Sequence, residues 1–156
     1  MNNFITNSEK KQLKTRLAQL ISSSTELKFL VGFFYFSGIR ELYQSLKNSP
    51  DTILRVLVGL NVDTSLYGLH EYAHSEEASD EEKAYEFLDS IKKSLPTDEF
   101  DTENSYEQIK FFVDLIKTER LIIKKTYQPN HAKLYLFKLA EVGRQALFIT
   151  GSSNLT

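Results

Sequence analysis

Two stretches of the chain are apolar at almost every position. Residues 27–36 read Leu27-Lys-Phe-Leu-Val-Gly-Phe-Phe-Tyr-Phe36, and residues 53–60 read Ile53-Leu-Arg-Val-Leu-Val-Gly-Leu60. Near-continuous apolar runs of this length predict central strands covered on both faces. Between them Ile39, Leu42 and Leu46 recur at helical spacing, with Ser37 placed to cap that helix and Asn48-Ser-Pro-Asp51 to turn the chain out of it. Strand, helix and strand at this spacing predict a βαβ unit with a parallel pair and a right-handed crossover. Ahead of it, a capping box at Thr6-x-x-Glu9 and the stripe Leu13, Leu17, Leu20, Ile21 predict a helix over about 8–22.

The second half alternates differently. Ser79-x-x-Glu82 opens a helical pattern through Ala84, Phe87, Leu88, Ile91 and Leu95 that Pro96 stops. Ser105-x-x-Gln108 opens another, with Ile109, Phe112, Val113 and Ile116 on its inner face; Thr97 to Asn104 between them is polar. Leu121 to Tyr127 reads as a strand and Gln128-Pro-Asn130 as a turn into a strand beginning at His131. Ala140 to Arg144 reads as a hairpin connection to Gln145–Thr150. The expectation is one α/β domain with a mixed, mostly parallel sheet and helices on both faces.

Charge adds a second layer. The 156 residues sum to −2, but residues 71–107 hold 13 Asp/Glu against 3 Lys/Arg, whereas the rest hold 8 against 16. An acidic helical insert of −10 thus interrupts a body of +8, and the basic part includes Lys124, Lys125, Lys133, Lys138 and Arg144. A polyanionic substrate fits that body. With no cysteine, neither a disulfide framework nor a thiolate metal site is available. No run of 18 apolar residues and no signal-peptide order at Met1 to Lys10 occur, so the chain reads as cytoplasmic, with no membrane partner.

The candidate chemistry lies in the last twenty-six residues. In an extended strand, residues i and i+2 share a face. His131 and Lys133 should therefore project together, with Tyr135 and Phe137 behind them. A nucleophilic imidazole beside a fixed ammonium suits attack on a phosphodiester, whose transition state carries extra negative charge. Gly151 lets backbone approach an anion without a Cβ, and Ser152, Ser153 and Asn154 offer uncharged donors.

This pattern resembles the signature of the phospholipase D superfamily, H-x-K-x4-D followed by G-S-x-N. Here it reads His131-x-Lys133, Lys138 at the place of the Asp, then Gly151-Ser152-x-Asn154. The segments Val31-Gly-Phe-Phe-Tyr-Phe-Ser-Gly38 and Leu54-Arg-Val-Leu-Val-Gly-Leu60 resemble the opening strands of the phospholipase D-like module at the front of some bacterial helicase-type and restriction-type proteins. The resemblance covers residues 27–156. It implies a phospholipase D-like half, with His131 as nucleophile or general acid, Lys133 and Asn154 clamping phosphate, and Ser152, Gly151 and Ser153 supporting them. In that family one His forms a phosphohistidine and a second His, from a second copy of the motif, protonates the leaving oxygen. This chain carries one such set, so the resemblance implies a homodimer. It also implies attachment to a helicase-like ATPase, and since no G-x-x-x-x-G-K-[ST] occurs here any such ATPase belongs to sequence outside these residues; the chain stops just after the motif, where family members continue.

Three matches are weighed more plainly. His70-Glu71-x-x-His74 fits a zinc-helix pattern, but the run that follows, Ser75 to Glu82, is acidic and lacks an apolar stripe, so the pair reads as exposed. Tyr35 and Ser37 fall at the end of the first strand, the side on which parallel sheets place ligands. Tyr35 is carried as a pocket-lining candidate, beside the plainer readings of a packing aromatic and a helix cap. Lys138 lacks the acceptor oxygens of the family's Asp and reads as a surface lysine or a contact to nucleic-acid backbone. The functional expectation is a nuclease module acting on DNA without metal or other cofactor. The rivals are a silent nucleic-acid-binding or dimerisation module and, more remotely, a lipid-directed transferase.

Overall fold

A computed structural model describes residues 13–62 and 103–152 of the chain. The fold is α/β, with a five-stranded mixed sheet in the order β3-β2-β1-β4-β5. The strands are β1 (Ser24–Phe34), β2 (Ile53–Val62), β3 (Leu121–Lys125), β4 (Leu134–Leu139) and β5 (Ala146–Thr150). The first three are parallel, whereas β4 runs antiparallel to β1 and β5 antiparallel to β4. The sheet is therefore parallel at one end and antiparallel at the other, rather than mostly parallel.

Helix α1 (Leu13–Ile21) buries Leu17, Leu20 and Ile21. The connection from β1 to β2 is two short helices, α2 (Phe36–Arg40) and α3 (Tyr43–Lys47), rather than one. Ile39, Leu42 and Leu46 all reach the core, so the apolar stripe survives the break. Ser37 does not cap: Tyr35 holds the N-cap position in extended conformation, without a side-chain cap bond. Its carbonyl instead accepts the backbone N–H groups of Gly38 and Ile39. Helix α4 (Glu103–Lys117) begins two residues before the expected cap and turns Ile109, Phe112, Val113 and Ile116 inward.

The described helices pack as one layer on one sheet face. Leu27, Phe29 and Val31 of β1, Leu54, Val56 and Val58 of β2, and Tyr135 and Phe137 of β4 meet them at alternate positions. The Phe29 ring stands edge-on to those of Tyr135 and Phe137, at 5.0 and 5.9 Å between centroids. Tyr43 of α3 meets Phe111 of α4 edge-on, closing the helical layer above them. Each such buried ring contributes a few kcal/mol, about 3–5 on truncation to alanine.

Helices on both faces were expected, yet among the described residues the opposite face is open. Leu57 and Leu136 there are 40% and 37% exposed. A groove of about 370 Å³ on this face is lined by Lys28, Leu30, Arg55, Leu57, Lys124 and Leu136, among others. The predicted helix over 79–95, the His70–His74 pair and most of the acidic insert lie outside the described residues, as do Ser153 and Asn154. No described helix is long and apolar enough to cross a membrane.

Candidate anion-binding site

Three parallel strands end on the same side of the sheet, and there the chain returns to start β4. The return passes over β2. Thr126 N–H donates to the Val58 carbonyl at 2.9 Å, and Asn130 N–H donates to the Gly59 carbonyl at 3.0 Å. The backbone of Asn130 lies so close above Gly59 that a Cβ there would stand 1.8 Å from the Asn130 carbonyl oxygen. Only glycine admits this crossing. The Asn130 side chain then accepts the Ala132 N–H at 2.7 Å, a local turn that aims the next residues along β1.

His131 arrives beside Gly32 of β1. A Cβ on Gly32 would stand 2.8 Å from the His131 ring carbon Cδ2. Gly32 lies opposite a bulge: from Val31 to Phe33 the β1 chain advances two residues while β2 advances three, from Val58 to Asn61. The bulge also reverses the alternation: Phe34 becomes fully buried, while Tyr35 beyond it is exposed. Phe33 is left facing His131, their rings 6.0 Å apart and near perpendicular at 82°.

Lys133 is the chemical centre. It is only 5% exposed. Its Nζ donates to His131 Nε2 at 2.9 Å and to the His131 carbonyl at 2.8 Å. An ammonium can only donate, so Nε2 accepts here and the neutral ring carries its proton on Nδ1. Those two bonds use two of the three ammonium protons. No carboxylate pairs with Lys133 among the described residues. A mostly buried cation without a counter-charge is costly, and an anion at the site would relieve that cost.

The turn after β5 reaches the same place. Leu134 pairs with Thr150, so Gly151 falls opposite Lys133. The Lys133 carbonyl accepts the Gly151 N–H at 3.4 Å and the Thr150 hydroxyl at 3.2 Å. Gly151 and Ser152 are both exposed. A Cβ on Gly151 would meet no atom within 4 Å, and its backbone is not in the left-handed region. The described fold therefore does not require glycine at 151; the space beside it is open.

The site thus brings together His131 and Lys133, with Gly151 bonded to the Lys133 backbone, exposed Ser152 following it in the chain, and Tyr35 close by through Phe33. Ser153 and Asn154 lie outside the described residues. Behind the pair, Tyr135 is buried deeply enough that loss of solvation pushes its phenol up to about 12. That side chain is part of the packed floor beneath Lys133.

The basic cluster seen in the sequence divides. Lys124 and Lys125 close β3 at the same end of the sheet as His131. Lys138 and the loop holding Arg144 lie at the other end, where Lys138 pairs across from Glu26 and Ala146. Seven steps along the chain separate Lys138 from His131, roughly 20 Å. Lys138 is an exposed side chain that cannot reach a phosphate held at His131. It supplies no substitute at this site for the Asp of the phospholipase D signature.

Sequence reasoning passed over Gly32, Phe33, Gly59 and Asn130. The signal was present: each glycine is an isolated Gly inside an apolar strand pattern, which marks a bulge or a close backbone approach. Among the described residues no group of three or more metal-ligating side chains occurs. No protein-family model matches the chain, and no curated protein matches it.

Proposed function

We propose that this domain binds the phosphodiester backbone of nucleic acid at His131 and Lys133 and cleaves it through a phosphohistidine. The observation that carries the reading is Lys133: a mostly buried ammonium with no described counter-charge, in contact with an exposed imidazole, beside the open Gly151–Ser152 turn. The resemblance of His131-x-Lys133 and Gly151-Ser152-x-Asn154 to the phospholipase D signature supports the same reading.

The chemistry follows from the hydrogen bonds. A phosphate oxygen entering the site accepts the Lys133 hydrogen bond now donated to Nε2, which frees that lone pair for attack. Nε2 bonds to phosphorus as the bond from phosphorus to the leaving oxygen breaks. The leaving oxygen takes a proton from a second imidazolium, which this reading assigns to His131 of a second copy. Water then attacks phosphorus, the P–N bond breaks, and the water proton goes to that second imidazole. The Lys133 ammonium and the Gly151–Ser152 turn oppose the charge that accumulates on the equatorial oxygens. In this proposal DNA is the substrate class, and a helicase-like ATPase is the partner the resemblance suggests.

A second reading rests on Lys138. With no carboxylate at that position, and with Lys138 itself far from the site, the domain would be a silent binding or dimerisation module of the same fold. Incubation of end-labelled DNA in EDTA separates the two. Cleavage by wild type and none by His131→Ala supports the nuclease. Binding without cleavage supports the module, and cleavage at equal rates by both proteins refutes the assignment to His131.

A further inference from the structure

We propose that Phe33 and Tyr35 form a base-stacking step beside the His131–Lys133 site, making the substrate a single-stranded polynucleotide rather than a duplex. This rests on the phosphodiester reading of that site and names its substrate. Phe33 and Tyr35 are i and i+2 just beyond the register shift, and their rings stack at 6.2 Å and 17°. Phe34 between them is fully buried, so the two rings share the outward side of the chain. Tyr35 is 37% exposed. Phe33 in turn stands edge-on to the His131 ring. The aromatic surface is therefore continuous with the imidazole that meets the phosphate.

Single-stranded nucleic acid is bound by this combination of parts: a basic track for the backbone and aromatic faces for the bases. The track is present at the same sheet end, from Lys133 before β4 to Lys125 closing β3, whose pairing with Val58 puts it on the same sheet face. Three strand spacings separate β4 from β3, about 14 Å, and β1 with its aromatic pair lies between them. A base adjoining the phosphate at His131 can lie on Tyr35 without leaving this line. In a duplex both faces of each base are already stacked, and extruding one costs a few kcal/mol, so the platform favours strands already open.

The test compares a 12-nucleotide oligo-dT, an oligo-rU of equal length, a 12-base-pair duplex and dimethyl phosphate as ligands. Anisotropy reads the labelled nucleic acids, and His131 ring shifts read dimethyl phosphate. Tyr35→Ala should weaken binding of the better single strand by about 5- to 150-fold. Tyr35→Phe, which keeps the π-face, should stay within about threefold, and dimethyl phosphate should bind all three proteins alike. A preference for dT or rU settles which polynucleotide is taken. Unchanged single-strand binding by Tyr35→Ala overturns the inference alone. So does a wild type that prefers duplex, or an equal loss of dimethyl phosphate, which would make Tyr35 a prop for His131. A wild type that does not bind dimethyl phosphate at His131 overturns the phosphodiester reading, and this inference with it.

Discussion

Gly32→Ala isolates the link between backbone and site chemistry. The added methyl would stand 2.8 Å from His131 Cδ2, whereas carbon atoms in contact settle near 3.5–4.0 Å. One of them must therefore move by roughly 0.7–1.2 Å. The other two neighbours, His131 Cα and Leu60 Cδ1, are already at a comfortable 3.5 Å. The imidazole is exposed, so the ring swings and the strand stays. The stability cost should be small, about 1 kcal/mol, at the lower edge of what overpacking usually costs. The chemical cost should be large. The Lys133–His131 separation of 2.9 Å would open past hydrogen-bonding range, and a displacement near 1 Å in a reacting group costs on the order of 100-fold in rate. Thermal melts together with single-turnover cleavage of labelled DNA read the two effects separately. A Gly32→Ala protein that melts close to wild type and cleaves at the wild-type rate would refute the claim that Gly32 sets the imidazole in place.

Three further perturbations probe the frame. Gly59→Ala puts a methyl 1.8 Å from a backbone oxygen, so the 126–130 crossing must lift and lose its bond to Gly59; circular dichroism melts should show a loss of about 1–3 kcal/mol. Gly151→Ala meets no described atom, so it should melt within about 0.5 kcal/mol of wild type while weakening oligonucleotide binding, as anisotropy would read. The Glu26 carboxyl is held below its ordinary 4.5 chiefly by its hydrogen bond from Arg55, despite partial desolvation. Its contribution is therefore present above that pH and lost as pH falls through the lower folded value. Glu26→Gln should melt below wild type at pH 7, and the two should converge as pH falls below the lowered folded value in parallel thermal scans.

Much of this arrangement was legible before any coordinates. Strand parity put His131 and Lys133 together above Tyr135 and Phe137, and the two side chains do meet, although β4 begins only at Leu134 and both residues precede it rather than opening it. The apolar runs marked β1 and β2, and helical spacing marked the inner faces of α1 and α4. What failed depended on contacts between distant segments. The Ser37 cap failed because β1 ends one residue short of Tyr35, which holds the N-cap, and no cap bond offsets the break at Leu42. Lys138 seemed part of one basic cluster, but β4 carries it to the far end of the sheet. The glycine crossings were invisible as contacts, since nothing local in Val58-Gly59-Leu60 announces Asn130 above it.

The central claim is that Lys133 holds a phosphodiester against the His131 imidazole. Its most direct test is the ¹⁵N signal of the His131 ring during titration with dimethyl phosphate, in wild type and in Lys133→Met. The account predicts a saturable shift at Nε2 in wild type, as the hydrogen bond donated by Lys133 moves from the ring to the phosphate, and none in Lys133→Met. An Nε2 signal that stays fixed in wild type, or moves equally in both proteins, would contradict it.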